Sequence, residues 1–270
     1  MKFNHFDIHS HLNLKPLYEQ RADILARMKE QGVGTITVGV DYETSKLAID
    51  LAEENPDLLW ATVGLHPNDN VDEIFEYEKY LELARHEKVV AIGECGLDYF
   101  RDQSEETKIH QKELFKKQIE LAIEVGKPIM VHARPSKGTQ DAYTDVLDIL
   151  ESYYTLDAKP YTLICNFHFF VGDISIAKRI VENDWTMSFD GPITFSTDYD
   201  EVIRSIPIEN IMTETDAPFA APVPYRGKTC EPWMVTEVVK KIAELKGISE
   251  EEFKVVMLSN AKRVFGIGEI

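Results

Sequence analysis

Short apolar runs rich in β-branched residues recur along this chain, and the stretches between them carry their apolar residues at a helical period. The runs predict strands near Asn4–His9, Thr35–Val40, Leu59–Val63, Val89–Glu94, Pro128–His132, Thr162–His168, Trp185–Phe189 and Ile211–Asp216. Leu114, Phe115, Gln118, Leu121, Ala122 and Val125 form one helical stripe with a single polar interruption. Val235, Val238, Val239, Ile242 and Leu245 repeat it, and Ser249 followed by Glu252 is a capping-box pattern that opens a last helix. Eight strands, each followed by a helix, predict an α/β fold of the (β/α)8 TIM-barrel kind, one domain over residues 1–270. A doubly wound sheet would alternate in the same way, but no GxGxxG turn follows the first strand.

Composition narrows the function classes. The 270 residues are 44% hydrophobic and 28% charged, which excludes a disordered, collagenous or disulfide-scaffold chain. No apolar run approaches the roughly 20 residues of a membrane span, and the opening Met1-Lys2-Phe3-Asn4 has no apolar signal region. Cytoplasmic localisation is the expectation. Cys95, Cys165 and Cys230 are odd in number and far apart, in keeping with a reducing compartment. The net charge of −18 excludes a broad basic surface that coats duplex DNA or anionic lipid. A polyanionic substrate would be gripped locally, where bound cations invert the field.

The residues able to do chemistry sit at the ends of the expected strands. His9 and His11 stand at i and i+2, so both imidazoles point to one face and can reach one cation. Asp7 shares that face, either to orient a histidine or to be satisfied by backbone N–H groups. Glu94 closes a very apolar strand, where an unpaired carboxylate would cost several kcal/mol. His132, His168 and Asp216 end further strands, and Asp98 is positioned to hold a loop. In a barrel these strand ends converge on the C-terminal mouth, together with His66. His86 and His110 read as surface histidines, and His5 has no evident role. Four histidines and two carboxylates are too many for one tetrahedral ion and suit two ions sharing a bridging carboxylate. The mixed nitrogen and oxygen donors favour Zn, Mn, Fe, Co or Ni over a purely Mg site.

These residues stand in segments that resemble one family. Asp7-Ile-His-Ser-His11, Gly64-Leu-His-Pro67, Gly93-Glu-Cys-Gly-Leu-Asp-Tyr99, His132-Ala-Arg134, His168, Glu214-Thr-Asp-Ala-Pro218 with Arg226-Gly227, and the closing Ser259-Asn-Ala-Lys-Arg-Val-Phe-Gly266 are similar to the TatD metal-dependent hydrolases. The resemblance implies an amidohydrolase-type TIM barrel and a divalent-metal-dependent DNase, commonly a 3′→5′ exonuclease. It implies one ion on His9, His11, Glu94 and Asp216 and a second on Glu94, His132 and His168. The chain departs from the family pattern at Phe169, at Cys230 and in the segment after Arg134.

The expected reaction is hydrolysis of single-stranded DNA at 3′ ends by a water that two divalent ions (Zn, Mn, Mg, Co or Ni) activate. Asp216 would serve as catalytic base. Arg134, His66 and Arg226 would contact substrate, and Phe169, Phe170 and Tyr99 would either stack on bases or pack in the core or rim. No obligate protein partner is evident. The rival readings are an amidase, esterase or deacylase on the same metals, a second HxH-type phosphoesterase, and a barrel stabilised by metal without catalysis.

Overall fold

The computed structural model of the chain describes residues 3–68, 73–155 and 163–268. Its strands are β1 (His5–Ser10), β2 (Val33–Val38), β3 (Leu59–Val63), β4 (Val89–Asp98), β5 (Ile129–Arg134), β6 (Cys165–Phe167), β7 (Thr186–Phe189) and β8 (Ile211–Thr213). Every neighbouring pair is parallel and the order is sequential, so the sheet curls into a nearly closed barrel. Around it run α1 (Arg21–Gln31), α2 (Tyr42–Glu54), α3 (Tyr77–Ala84), α4 (Glu105–Val125), α5 (Asp141–Thr155), α6 (Ile174–Glu182), α7 (Asp200–Ser205), α8 (Val235–Lys246) and α9 (Glu250–Phe265). Among the described residues no helix is long and apolar enough to cross a membrane.

Strands covered on both faces read as continuous apolar runs rather than alternating ones. β1, β2 and β4 accordingly are buried along their whole length. The stripe on α4 buries Phe115, Leu121 and Ala122 against the barrel. Its polar interruption has a purpose. The Gln118 amide accepts from the Leu65 N–H at 2.8 Å and donates to the Leu65 carbonyl at 2.9 Å, fixing the loop after β3. The capping box on α9 forms as expected: the Ser249 hydroxyl accepts from the Glu252 N–H, and the Glu252 carboxylate accepts from the Ser249 N–H at 2.9 Å.

Strand ends differ from the expected ones. β4 runs on to Asp98 and β5 to Arg134, so Glu94 and His132 lie inside strands rather than at their ends. β6 and β8 stop early, leaving His168 and Asp216 just beyond them. Thr162, expected to open the sixth strand, lies outside the described residues.

The seam between β8 and β1 is closed differently from the other strand pairs. One bridge joins Ser10 to Ala217, flanked by backbone bonds from Asp216 N–H to the His9 carbonyl (3.0 Å) and from His11 N–H to the Ala217 carbonyl (2.7 Å). Asp7, fully buried, accepts from the Thr215 N–H at 2.9 Å, the Thr215 hydroxyl at 2.7 Å and the His9 N–H at 3.2 Å. Of the two roles open to Asp7 in the sequence, the structure favours the backbone-satisfied carboxyl, and it spans the seam. Thr215→Val takes away one of those donors at a fully buried carboxyl, an expected loss of about 1–3 kcal/mol in urea unfolding. An unchanged midpoint would remove Asp7 from the closure.

His5 lies at the opposite end of β1, with its Nδ1 unpartnered among the described residues. Burial, with help from Lys254, lowers its pKa to about 4. The unfolded chain therefore takes up this proton first as pH falls below about 6.5, and folding stability declines until about pH 4. His5→Gln should make Tm fall less steeply across that window, and the same slope in both proteins would refute the assignment.

Candidate metal centre

Alternation along β1 sends the His9 and His11 side chains to one face, where their Nε2 atoms lie 3.2 Å apart. Asp216, just past β8, joins them at a backbone φ of +52°, a conformation that costs a non-glycine residue of the order of 1 kcal/mol or more. Its Oδ1 stands 3.3 Å from His11 Nε2 and 3.6 Å from His9 Nε2. Glu94 reaches in from β4 and divides its two oxygens. Oε2 lies 3.3 Å from His9 Nε2, while Oε1 lies 2.6 Å from His132 Nδ1, 2.7 Å from His168 Nε2 and 3.6 Å from His66 Nε2. The close approach of β4 to β5 depends on Gly96, where a Cβ would fall 2.0 Å from the His132 carbonyl oxygen.

These separations fit a metal ion. Bonds of about 2.0–2.1 Å in tetrahedral geometry place neighbouring ligand atoms roughly 3.3–3.4 Å apart. The contacts among His9, His11 and Asp216 match that edge length, and the donor set is imidazole nitrogen and carboxylate oxygen. His66, Glu94 and His132 bring a second group of donor atoms within 4.8 Å of one another.

Three of the imidazoles face an outer oxygen from behind. His11 Nδ1 lies 3.1 Å from the Val38 carbonyl, which places the proton on Nδ1 and leaves the Nε2 lone pair facing the cluster. His132 Nε2 lies 3.2 Å from Asp98 Oδ2, and His168 Nδ1 lies 3.6 Å from Glu214 Oε1. Glu214 is itself held, accepting from the Phe169 N–H at 2.5 Å and the Ser188 hydroxyl at 2.7 Å. Such outer carboxylates fix ring orientation and raise ligand basicity.

Burial by itself would raise the Glu94 pKa, but His168, His66 and His132 outweigh it and hold the carboxyl well below its usual range. Burial and the neighbouring His168 lower the pKa of His9 and keep it neutral. In His168 the carboxylates of Glu94 and Glu214 overcome burial and raise the pKa well above normal. The cluster is an anionic pocket built to take positive charge.

A cavity of about 460 Å³ opens above it, walled in part by His66, Arg101, Arg134, Phe169 and Phe219. The structure thus gathers His9, His11, Glu94, His132, His168 and Asp216 in one place, with Arg134 on the wall. His66 lines the same cavity, its Nε2 3.6 Å from Glu94 Oε1 within the imidazole–carboxylate cluster. Arg226 stands outside this cavity, its guanidinium 4.1 Å over the Phe195 ring. Of the two alternatives for Tyr99 and Phe170, both residues take the core. Tyr99 is fully buried with its hydroxyl bonded to Asp145 at 2.9 Å, and Phe170 is a core residue. Sequence reasoning gave Asp98 only a loop role and passed over Glu214 and Arg101. Glu214 had a signal, standing at i−2 of Asp216 as His9 stands at i−2 of His11.

Comparison with known proteins settles the family. The family model of TatD related DNases matches residues 6–266. The chain belongs to the TatD family. As a TatD protein it is 40% identical to the uncharacterized metal-dependent hydrolase YabD of Bacillus subtilis (strain 168), over 97% of this chain and 99% of that one. It is 35% identical to the uncharacterized metal-dependent hydrolase MG009 of Mycoplasma genitalium, over 97% and 98% of the two chains. Among solved structures, YJJV, a TatD homologue of Escherichia coli K12, superposes with a TM-score of 0.84 at 24% identity, covering 99% of this chain and all of that one. This TatD-family chain is therefore a metal-dependent hydrolase on a TIM barrel.

Glu214→Gln, which keeps the shape but removes the charge behind His168, should weaken divalent-metal binding about 10- to 100-fold. Competition with a chelating dye measures it, and wild-type affinity would show that Glu214 does not support the site.

Proposed function

We propose that this TatD hydrolase cleaves phosphodiesters at the 3′ ends of single-stranded DNA, using two divalent ions, Zn, Mn, Mg, Co or Ni. One ion would be held by His9, His11, Glu94 and Asp216, the other by Glu94, His132 and His168. The observation that carries this reading is the division of Glu94, with Oε2 toward His9 and Oε1 toward His132 and His168. A carboxylate shared in that way suits a pair of ions about 3.5–4 Å apart. The family description as TatD related DNases supports the choice of substrate.

When bound, the ions supply Lewis acidity toward the phosphoryl oxygens and acidify the attacking water. The chain's own residues do the rest. Asp216, at the mouth beside His11, orients the water, takes its proton as the new P–O bond forms, and returns it to the departing O3′ as the P–O3′ bond breaks. Arg134, on the cavity wall, offers a guanidinium fork to the non-bridging oxygens, with Arg101 beside it. His66 and Arg226 are the remaining substrate contacts in this reading. The charge of −18 disfavours clamping duplex and suits capture of a single strand's end in a cation-lined pocket.

The test is a 5′-labelled single-stranded oligonucleotide incubated with protein and Mg²⁺ or Mn²⁺. Stepwise shortening from the 3′ end is expected, stopped by chelator. Asp216→Asn should slow it by at least about 100-fold while leaving the melting curve of a folded barrel. DNA left intact by the metal-loaded protein would defeat the phosphodiester reading and turn the search to carboxylic esters and amides.

A further inference from the structure

We propose that Phe100, Phe195 and Phe219 form a base-stacking rim around the mouth, so that the protein grips single-stranded nucleic acid by its bases as well as its phosphates. The inference rests on the preceding reading and adds how a strand would be held before cleavage.

Exposed aromatic rings are scarce among the described residues. Among the described residues the large, well-exposed apolar side chains include three phenylalanines, Phe100 at 47%, Phe195 at 41% and Phe219 at 55%. All three follow the C-terminal ends of strands, β4, β7 and β8, and so ring the end of the barrel that carries the metal cluster. The other well-exposed apolar side chains, such as Ile74, Ile109 and Val255, are aliphatic.

Two of the rings are paired with cations. The Arg134 guanidinium carbon lies 4.0 Å from the centre of the Phe100 ring, and that of Arg226 lies 4.1 Å from the centre of Phe195. An aromatic face next to a guanidinium matches the alternation of base and phosphate along a single strand. Phe219 carries the arrangement inward, its ring centre 6.2 Å from that of His11 in an edge-on contact. This also gives Arg226 a place that the cavity itself does not.

The rim is held rather than floppy. Gly191, after β7, lets the loop after β8 pass so close that a Cβ there would lie 1.8 Å from the Ala220 carbonyl oxygen. The Val223 N–H then donates to the Thr194 hydroxyl at 2.9 Å, locking the loop of Phe219 to the loop of Phe195. Rings fixed in this way lose little freedom when a base lands on them. Since every base has a π face, the grip would tolerate any sequence.

The experiment uses the full-length, metal-loaded protein, strands whose phosphorothioate linkages resist hydrolysis, and fluorescence anisotropy. The probes are an oligothymidylate and an abasic oligonucleotide of the same length. The oligothymidylate should bind more tightly than the abasic strand. Phe100→Leu and Phe195→Leu, which keep an apolar side chain without a π face, should each weaken its binding about tenfold and leave abasic binding unchanged. Equal affinity of the parent protein for both strands, no binding of either, or equal loss on both strands in the variants would each overturn the proposal. Cleavage of DNA together with equal affinity for the oligothymidylate and the abasic strand would leave the nuclease reading standing and remove the rim. Base-selective binding by a wild-type protein that cuts no DNA would do the reverse.

Discussion

The Glu94 carboxylate is the constraint around which the upper half of this barrel is arranged. With its side chain only 5% exposed, it has lost most of its hydration and must be compensated by positive charge or by hydrogen bonds. His9, His66, His132 and His168 supply those contacts from β1, the loop after β3, β5 and the end of β6. A buried imidazole in turn needs a partner for its far nitrogen, which calls up Asp98 behind His132 and Glu214 behind His168. Each of these brings a further support: the Phe100 N–H for Asp98 and the Ser188 hydroxyl for Glu214. The polar shell grows outward from one carboxylate until it reaches backbone and solvent.

This explains why so much polar chemistry survives inside an apolar barrel. Parallel strands bring all their C-terminal ends to one face, so the donors come from five separate parts of the chain without any strand leaving the sheet. Below that layer the strands are packed with apolar residues, and the arrangement has little room to relax.

The architecture was legible in the sequence, since a parallel strand covered on both faces announces itself as an apolar run and a covering helix as a stripe. The polar break at Gln118 looked like a defect and is the clamp on Leu65, a tertiary role that periodicity does not encode. Most of the donors were legible too, because histidines and carboxylates at strand ends have few innocent explanations together. What escaped was set by single-residue shifts. β4 continues to Asp98, and beyond it Tyr99 turns into the core while Phe100 faces out. Glu214 showed only its spacing from Asp216, because its partner, His168, is brought to it by the closing of the barrel.

The seam between β8 and β1 carries a consequence of its own. A ring of strands is held shut at its weakest join by one bridge, a few backbone bonds and the Asp7–Thr215 contact. His9 and His11 stand on one side of that join and Asp216 on the other. A cation taken up by these three would act as a rivet between the first and last strands of the barrel. Barrel closure and cofactor loading would then be thermodynamically linked, and an unloaded molecule would breathe first where those two strands meet.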